Sequence, residues 1–136
     1  MSIQYRATLR NARMDAVTTD FGNAALIRIY DGTPPANPAA SLSGNTLLAE
    51  LTGASPFAAG ASSGVLTASA ITQDSAANAG GTASFYRVYK SDGTTCCEQG
   101  TVTATGGGGD MTLSTVTIVI SVPVQITSWV HTEGNA

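Results

Sequence analysis

Charge is what this chain of 136 residues has least of: Asp, Glu, Lys and Arg make up 11% of it, against about 25% in an average soluble domain. It also has a single histidine, His131, and only two cysteines, Cys96 and Cys97, which are immediate neighbours. Each shortage argues against a class of function. A Ser-His-Asp triad would have to use His131, which falls in the last strand-like segment and is read instead as a surface or edge-strand residue. A metal cage needs clustered carboxylates or several His and Cys ligands, and the nine acidic residues are scattered singly along the chain. Consecutive strand residues point to opposite faces, so Cys96 and Cys97 would be strained as a mutual disulfide and are expected as free, half-buried thiols. The most apolar run, Val116 to Val124, is broken by Thr117, Ser121 and Pro123 and is too short to span a bilayer. The opening residues are polar and lack the apolar stretch of a secretory leader. A soluble protein made in the cytoplasm is expected, with no membrane partner, no cofactor and no enzymatic activity.

What the chain has in abundance is small residues. Its 21 Ala, 19 Thr, 15 Gly and 13 Ser account for half of it. Threonine suits a pleated surface, and glycine and serine suit turns. A surface built from such residues does little to oppose association. The length suits one domain, with a folded surface of roughly 6,600 Å². The net charge of −3 is unevenly spread. Arg6, Arg10 and Arg13 stand in the first 13 residues with no acid among them, while the remainder carries three basic against nine acidic residues. A nucleic-acid binder would show a larger basic footprint, so none is expected as a partner.

Helical spacing of Leu9, Ala12 and Ala16, with Tyr5 and Met14 nearby, predicts a helix from about Tyr5 to Thr19, stopped by Gly22. Arg6, Arg10 and Arg13 fall on one face of it. That face is either solvated or an electrostatic anchor onto an acidic neighbour, which would orient assembly more than strengthen it. Everything afterwards predicts strands and turns. Strands are expected at about 24–30, 47–51, 65–72, 83–90, 94–105, 112–120 and 124–132. Ser91-Asp92-Gly93 is the strongest hairpin signal. Thr33 to Asn45, rich in proline and alanine, is either a loose connection or an arm that orders on a partner. Gly106 to Gly109 is followed by Asp110, which would repel phosphate, so it is a flexible loop rather than a P-loop. The aromatics Phe85, Tyr86, Tyr89 and Trp129 suit a core, with a stacking platform for sugars or bases as the alternative. The fold class expected is all-β: a β-sandwich or jelly roll of seven to eight antiparallel strands with one short N-terminal helix. Residues 1–22 would form a helical arm and 23–136 the β domain.

Several blocks resemble one family. Leu9-Arg10-Asn11-Ala12-Arg13-Met14-Asp15-Ala16-Val17-Thr18-Thr19, then Leu26-Ile27-Arg28-Ile29-Tyr30-Asp31-Gly32, are similar to small virion proteins of tailed bacteriophages. So are Ser55-Pro56-Phe57-Ala58-Ala59, Gly64-Val65-Leu66-Thr67, Phe85 to Thr94, and the ending Thr132-Glu133-Gly134-Asn135-Ala136. Within that class the size and β content resemble a capsid cement, or decoration, protein. The resemblance implies a place on the outer capsid surface, the major capsid protein of the same phage as partner, and self-association as dimers or trimers. Arg6, Arg10 and Arg13 are the expected contact residues. The alternatives are a tail or neck (head-tail) component, or a carbohydrate- or receptor-binding module on the virion surface.

Overall fold

Helix α1 (Ala7–Phe21) stops where a residue without a side chain allows it. Gly22 takes φ +70° and ψ −157°, a conformation open chiefly to glycine, and its N–H donates to the Thr18 carbonyl at 3.2 Å. Arg6, in the N-cap position, is extended and offers no side-chain cap. These features come from a computed structural model, which describes residues 1–133; Gly134, Asn135 and Ala136 of the ending block lie outside the described residues.

Leu9, Ala12 and Ala16, whose spacing marks the helix in the sequence, do not form its packing face; the structure turns them outward. Leu9 is 45% exposed, and both alanines are exposed. The docked face carries Met14, Val17 and Phe21 against the core. One turn apart on it, Asn11 Oδ1 accepts from the Gly64 N–H and Asp15 Oδ1 from the Ala61 N–H, each at 2.7 Å. The physical reason is that α1 lies on a turn with spare N–H groups beside an apolar hollow. Acceptors four residues apart satisfy the donors, and burying Phe21 contributes about 2–3 kcal/mol, more than alanine methyls supply.

Nine strands follow among the described residues: β1 (Leu26–Tyr30), β2 (Leu47–Thr52), β3 (Val65–Thr67), β4 (Gly81–Thr82), β5 (Phe85–Tyr89), β6 (Cys96–Ala104), β7 (Met111–Leu113), β8 (Thr117–Ile118) and β9 (Val130–Thr132). Five form one sheet in the order β2-β1-β5-β6-β7, while β3 pairs with β9 and β4 with β8. The β-rich expectation holds, but the sheet is mixed and curled. β6 and β7 run parallel, with Val102 opposite Met111 and Ala104 opposite Leu113, so the strands are not all antiparallel. Three long expected strands are also cut short. Beyond β3 the chain changes partner every few residues: the Ser69 N–H goes to Phe57, Thr72 exchanges bonds with Thr52, and Asp74 exchanges bonds with Val124. The backbone stays hydrogen-bonded while bending around the core.

Both faces of the five-stranded sheet are covered. On one face Ile27, Ile29, Leu51, Tyr86, Val88 and Val102 meet Phe21, Phe57, Leu66 and Trp129 in the main core. On the other face Tyr30 stacks on Phe85 with ring centroids 5.3 Å apart, next to the buried Arg87 and Tyr89. This explains why all five residues of β5 are buried, the pattern of a strand covered on both sides. The Ser91-Asp92-Gly93 turn joins β5 and β6 as expected, with Asp92 Oδ1 accepting from the N–H groups of Thr94 and Thr95. The aromatics form a core, not a platform: Phe85, Tyr86, Tyr89 and Trp129 are all at most 7% exposed. The total accessible surface is 7042 Å².

The glycine run is not a free linker. Six residues, 105–110, return the chain from the end of β6 to the start of the parallel β7. A Cβ on Gly107 or Gly109 would fall 2.7 or 2.9 Å from the Thr103 side chain, and the Gly109 N–H donates to Thr103 Oγ1. The return is tight because nothing larger than hydrogen fits against Thr103.

Candidate functional site

The three arginines of α1 do not act as a set. Arg10 Nε donates to the Glu133 carbonyl at 2.8 Å, and Arg13 Nη1 pairs with the Glu133 carboxylate at 2.8 Å. Arg13 also lies over the Tyr5 ring, 5.3 Å from its centroid. Two of the three therefore clasp the end of β9 onto the helix, and Arg6 alone stays exposed outside that clasp. Glu133 lies 120 residues or more from both arginines, so no local signal reveals the pairing. The outward face of α1 that remains presents Arg6, Leu9, Ala12 and Ala16.

The most concentrated set of polar groups lies beneath this helix. Glu98 Oε1 accepts from the Tyr86 hydroxyl at 2.5 Å and lies 3.0 Å from His131 Nε2. Gly100 makes room for it: a Cβ there would sit 2.7 Å from the Tyr86 ring. Burial, then the Glu98 charge, pushes the Tyr86 phenol far above its ordinary value. His131 sits in edge strand β9, as expected from sequence, yet its side chain is only 14% exposed. The rings of Trp129, Phe57 and Phe21 surround it at 4.5, 6.0 and 6.2 Å. Trp129 Nε1 donates to the Asp110 carbonyl at 3.0 Å. The Asp110 carboxylate accepts from the Thr101 N–H and hydroxyl, which lowers its pKa. A shallow groove of about 520 Å³ runs past Tyr86, Glu98, Asp110 and His131. Chemically this arrangement is a tie: Glu98 joins β5, β6 and β9 across the open end of the core.

Cys96 and Cys97 are free. Burial raises both thiols, and burial followed by the contact with Asp20 pushes Cys97 up to about 11. Thiols of that kind stay protonated and unreactive near neutral pH.

Two features escape sequence reasoning. The first is Arg87, 3% exposed, whose Nη2 donates to the carbonyls of Asn37 and Ala40 at 3.1 and 2.7 Å and whose Nε donates to Gln99 Oε1 at 3.1 Å. Gln99 Nε2 in turn donates to the Pro35 carbonyl at 2.7 Å. The Thr33–Asn45 segment is thereby pinned over the outer face of the sheet, neither loose nor projecting. The second is an apolar turn. Val119, Ile120 and Val122 are 54%, 58% and 47% exposed, yet the backbone beneath them is fixed. Ala77 accepts from the Ser121 N–H at 2.9 Å and donates to the Val122 carbonyl at 3.0 Å. Ser121 takes φ +64°, a conformation uncommon outside glycine. Beside the turn lies a groove of about 430 Å³ lined by Leu113, Ile118, Val119, Val122, Pro123 and Val124, with uncharged Ser, Thr and Gln residues completing it. The run Val116–Val124 carries no periodicity that marks its tip as exposed.

No family model, curated protein or solved structure matches the chain.

Proposed function

We propose that this is a non-enzymatic structural protein of a tailed-bacteriophage virion that binds and stabilises the capsid shell as a cement, or decoration, protein. The observation that carries this reading is the placement of aliphatic side chains in solvent on rigid elements. Leu9 stands outward on a docked helix, and Val119, Ile120 and Val122 stand on a hydrogen-bonded turn. Ordered apolar groups on a surface with few charges suit permanent contact with other proteins. The resemblance of the sequence blocks supplies the class of partner, the major capsid protein, and the outer capsid surface as location. In this reading the five-stranded sheet with its two ribbons is a variant of the jelly-roll-like sandwich.

The mechanism follows from mass action. A protein that binds only the assembled, expanded shell stabilises that state in proportion to its occupancy, and many symmetric copies act together. The outward face of α1 is the contact: Leu9 supplies apolar area and Arg6 an unclasped positive charge for an acidic patch on the shell. Arg10 and Arg13 hold α1 in place for that contact.

The experiment is co-sedimentation of the purified protein with empty expanded and unexpanded shells. Saturable binding to expanded shells is expected. The Arg6→Ala/Leu9→Asp double variant should bind about tenfold or more weakly, since a buried leucine is worth about 1.5–3 kcal/mol. Absence of binding to either shell overturns the reading.

A further inference from the structure

We infer that the pocket between the 38–42 segment and the start of β6 binds an oxyanion, a phosphate or carboxylate group, through the guanidinium of Arg87. This goes beyond shell binding and does not depend on it.

Buried charges in proteins are normally matched by an opposite charge. Arg13, Arg28 and Lys90 each pair with a carboxylate. Arg87 does not, although it is the most deeply buried, at 3% exposure. Its partners are the Asn37 and Ala40 carbonyls, the Gln99 amide oxygen and the Tyr89 hydroxyl. Neutral oxygens satisfy N–H groups but leave the positive charge unmatched. The donors are not all used either. A guanidinium carries five N–H groups. Nε and Nη2 use theirs in bonds of 3.1, 3.1 and 2.7 Å. Nη1 has two, and its one contact among the described residues is the 3.5 Å approach to the Tyr89 hydroxyl, at the limit of a hydrogen bond.

Arg87 and Tyr89 both line a pocket of about 490 Å³ that opens to solvent between residues 38–42 and residues 94–96. No carboxylate lines it, and the exposed Ser41 at its rim offers a hydroxyl. The acid of the nearby turn, Asp92, already accepts from the Thr94 and Thr95 N–H groups and from the Thr95 hydroxyl. The field of Arg87 reaches the pocket wall: burial raises the Cys96 thiol, and the Arg87 charge works against that rise. Three well-formed bonds fix the guanidinium in place, so an anion meets a donor that needs no further ordering. Bonds between an ionised donor and an oxyanion are the strong ones, and little water surrounds this donor to weaken them.

The test is an amide NMR titration of the full chain with sodium phosphate and, separately, with sodium acetate, at an ionic strength held constant with chloride. Three variants accompany it: Ser41→Asp, Ser43→Asp and Arg87→Met. Ser41 and Ser43 are both exposed, but only Ser41 lines the pocket, so Ser43→Asp controls for added charge. Unchanged urea midpoints confirm that both serine variants are folded. In the wild type the amides of Ser41, Thr94, Thr95 and Cys96 should shift saturably, with a Kd in the millimolar range. Ser43→Asp should titrate as the wild type does. Ser41→Asp, with its own carboxylate at the rim, should bind about tenfold or more weakly, and Arg87→Met should show no saturation. Tighter binding of phosphate assigns the site to a phosphate group, and tighter binding of acetate assigns it to a carboxylate. No saturable shift with either ion, shifts confined to other amides, equal affinity in all variants, or equal weakening by the two serine variants each overturns the inference. The readout uses the protein alone, so it is separate from any result with shells.

Discussion

Replacing Arg87 by methionine removes the donors that hold the 33–45 segment while keeping much of the apolar stem. Three of its hydrogen bonds are well formed, to Asn37, Ala40 and Gln99, and a fourth, to the Tyr89 hydroxyl, is 3.5 Å long. No carboxylate is among these partners; the buried charge is held by carbonyl and amide oxygens. Hydrogen bonds from a charged group contribute about 1.5–3 kcal/mol each. Part of that is offset, because methionine removes the cost of burying a guanidinium and the freed carbonyls reach water when the segment lifts. The expected net loss is about 3 kcal/mol, or a fall in Tm of roughly 10 °C for a chain of this size. Urea denaturation gives the first number. Hydrogen exchange gives the location: the Ala39 and Ala40 amides, now bonded to Asn37 Oδ1, should lose protection, while those of β5 keep most of theirs. A loss below about 1 kcal/mol with unchanged protection at Ala39 and Ala40 would refute the idea that Arg87 pins the segment.

Two further outcomes follow from other contacts. Gly100→Ala forces a methyl against the Tyr86 ring and should cost about 1–3 kcal/mol in urea unfolding, with the same substitution at Gly44, where nothing lies within 4 Å, as a comparison limited to the cost of its positive φ. Asp92 and Asp110 both have lowered pKa values in the folded state because N–H and hydroxyl groups donate to them. A carboxylate of this kind adds stability above its unfolded value and loses it as pH falls through the folded one. Stability should therefore decline below about the ordinary carboxylate value of 3.8, and a series of urea melts on Asp110→Asn should show a shallower acid decline than the wild type.

Much of the strand content was legible because alternation is a local property. β1, β2, β5 and the hairpin into β6 fall at the strands expected at about 24–30, 47–51 and 83–90 and at the Ser91-Asp92-Gly93 turn, with β1 and β5 shorter than expected. The parallel β6–β7 pair was not legible, since a short glycine-rich return looks the same in sequence whether the chain reverses once or twice. The docked face of α1 was not legible because its strongest contacts are polar. Asn11 and Asp15 meet backbone N–H groups some 50 residues away, and an apolar count ignores them. Arg87 was hidden for a similar reason: its partners are main-chain carbonyls, which carry no sequence signature. Of the three arginines read as one helix face, Arg6 precedes the helix in an extended conformation, and Glu133, which engages the other two, lies 120 residues or more away.

The clasp between α1 and the end of β9 has a consequence for how the protein emerges from the ribosome. The helix is made before its docking partners, around Ala61 and Gly64, which come some 50 residues later. Arg10 and Arg13 wait for Glu133, which follows them by 120 residues or more. At roughly 5–20 residues per second that interval is on the order of ten seconds. A 15-residue helix is marginal without a packed partner. Throughout that interval, therefore, the nascent chain carries a basic, partly formed helix whose two inner arginines are still open to acidic neighbours, and the arrival of Glu133 engages two of the three.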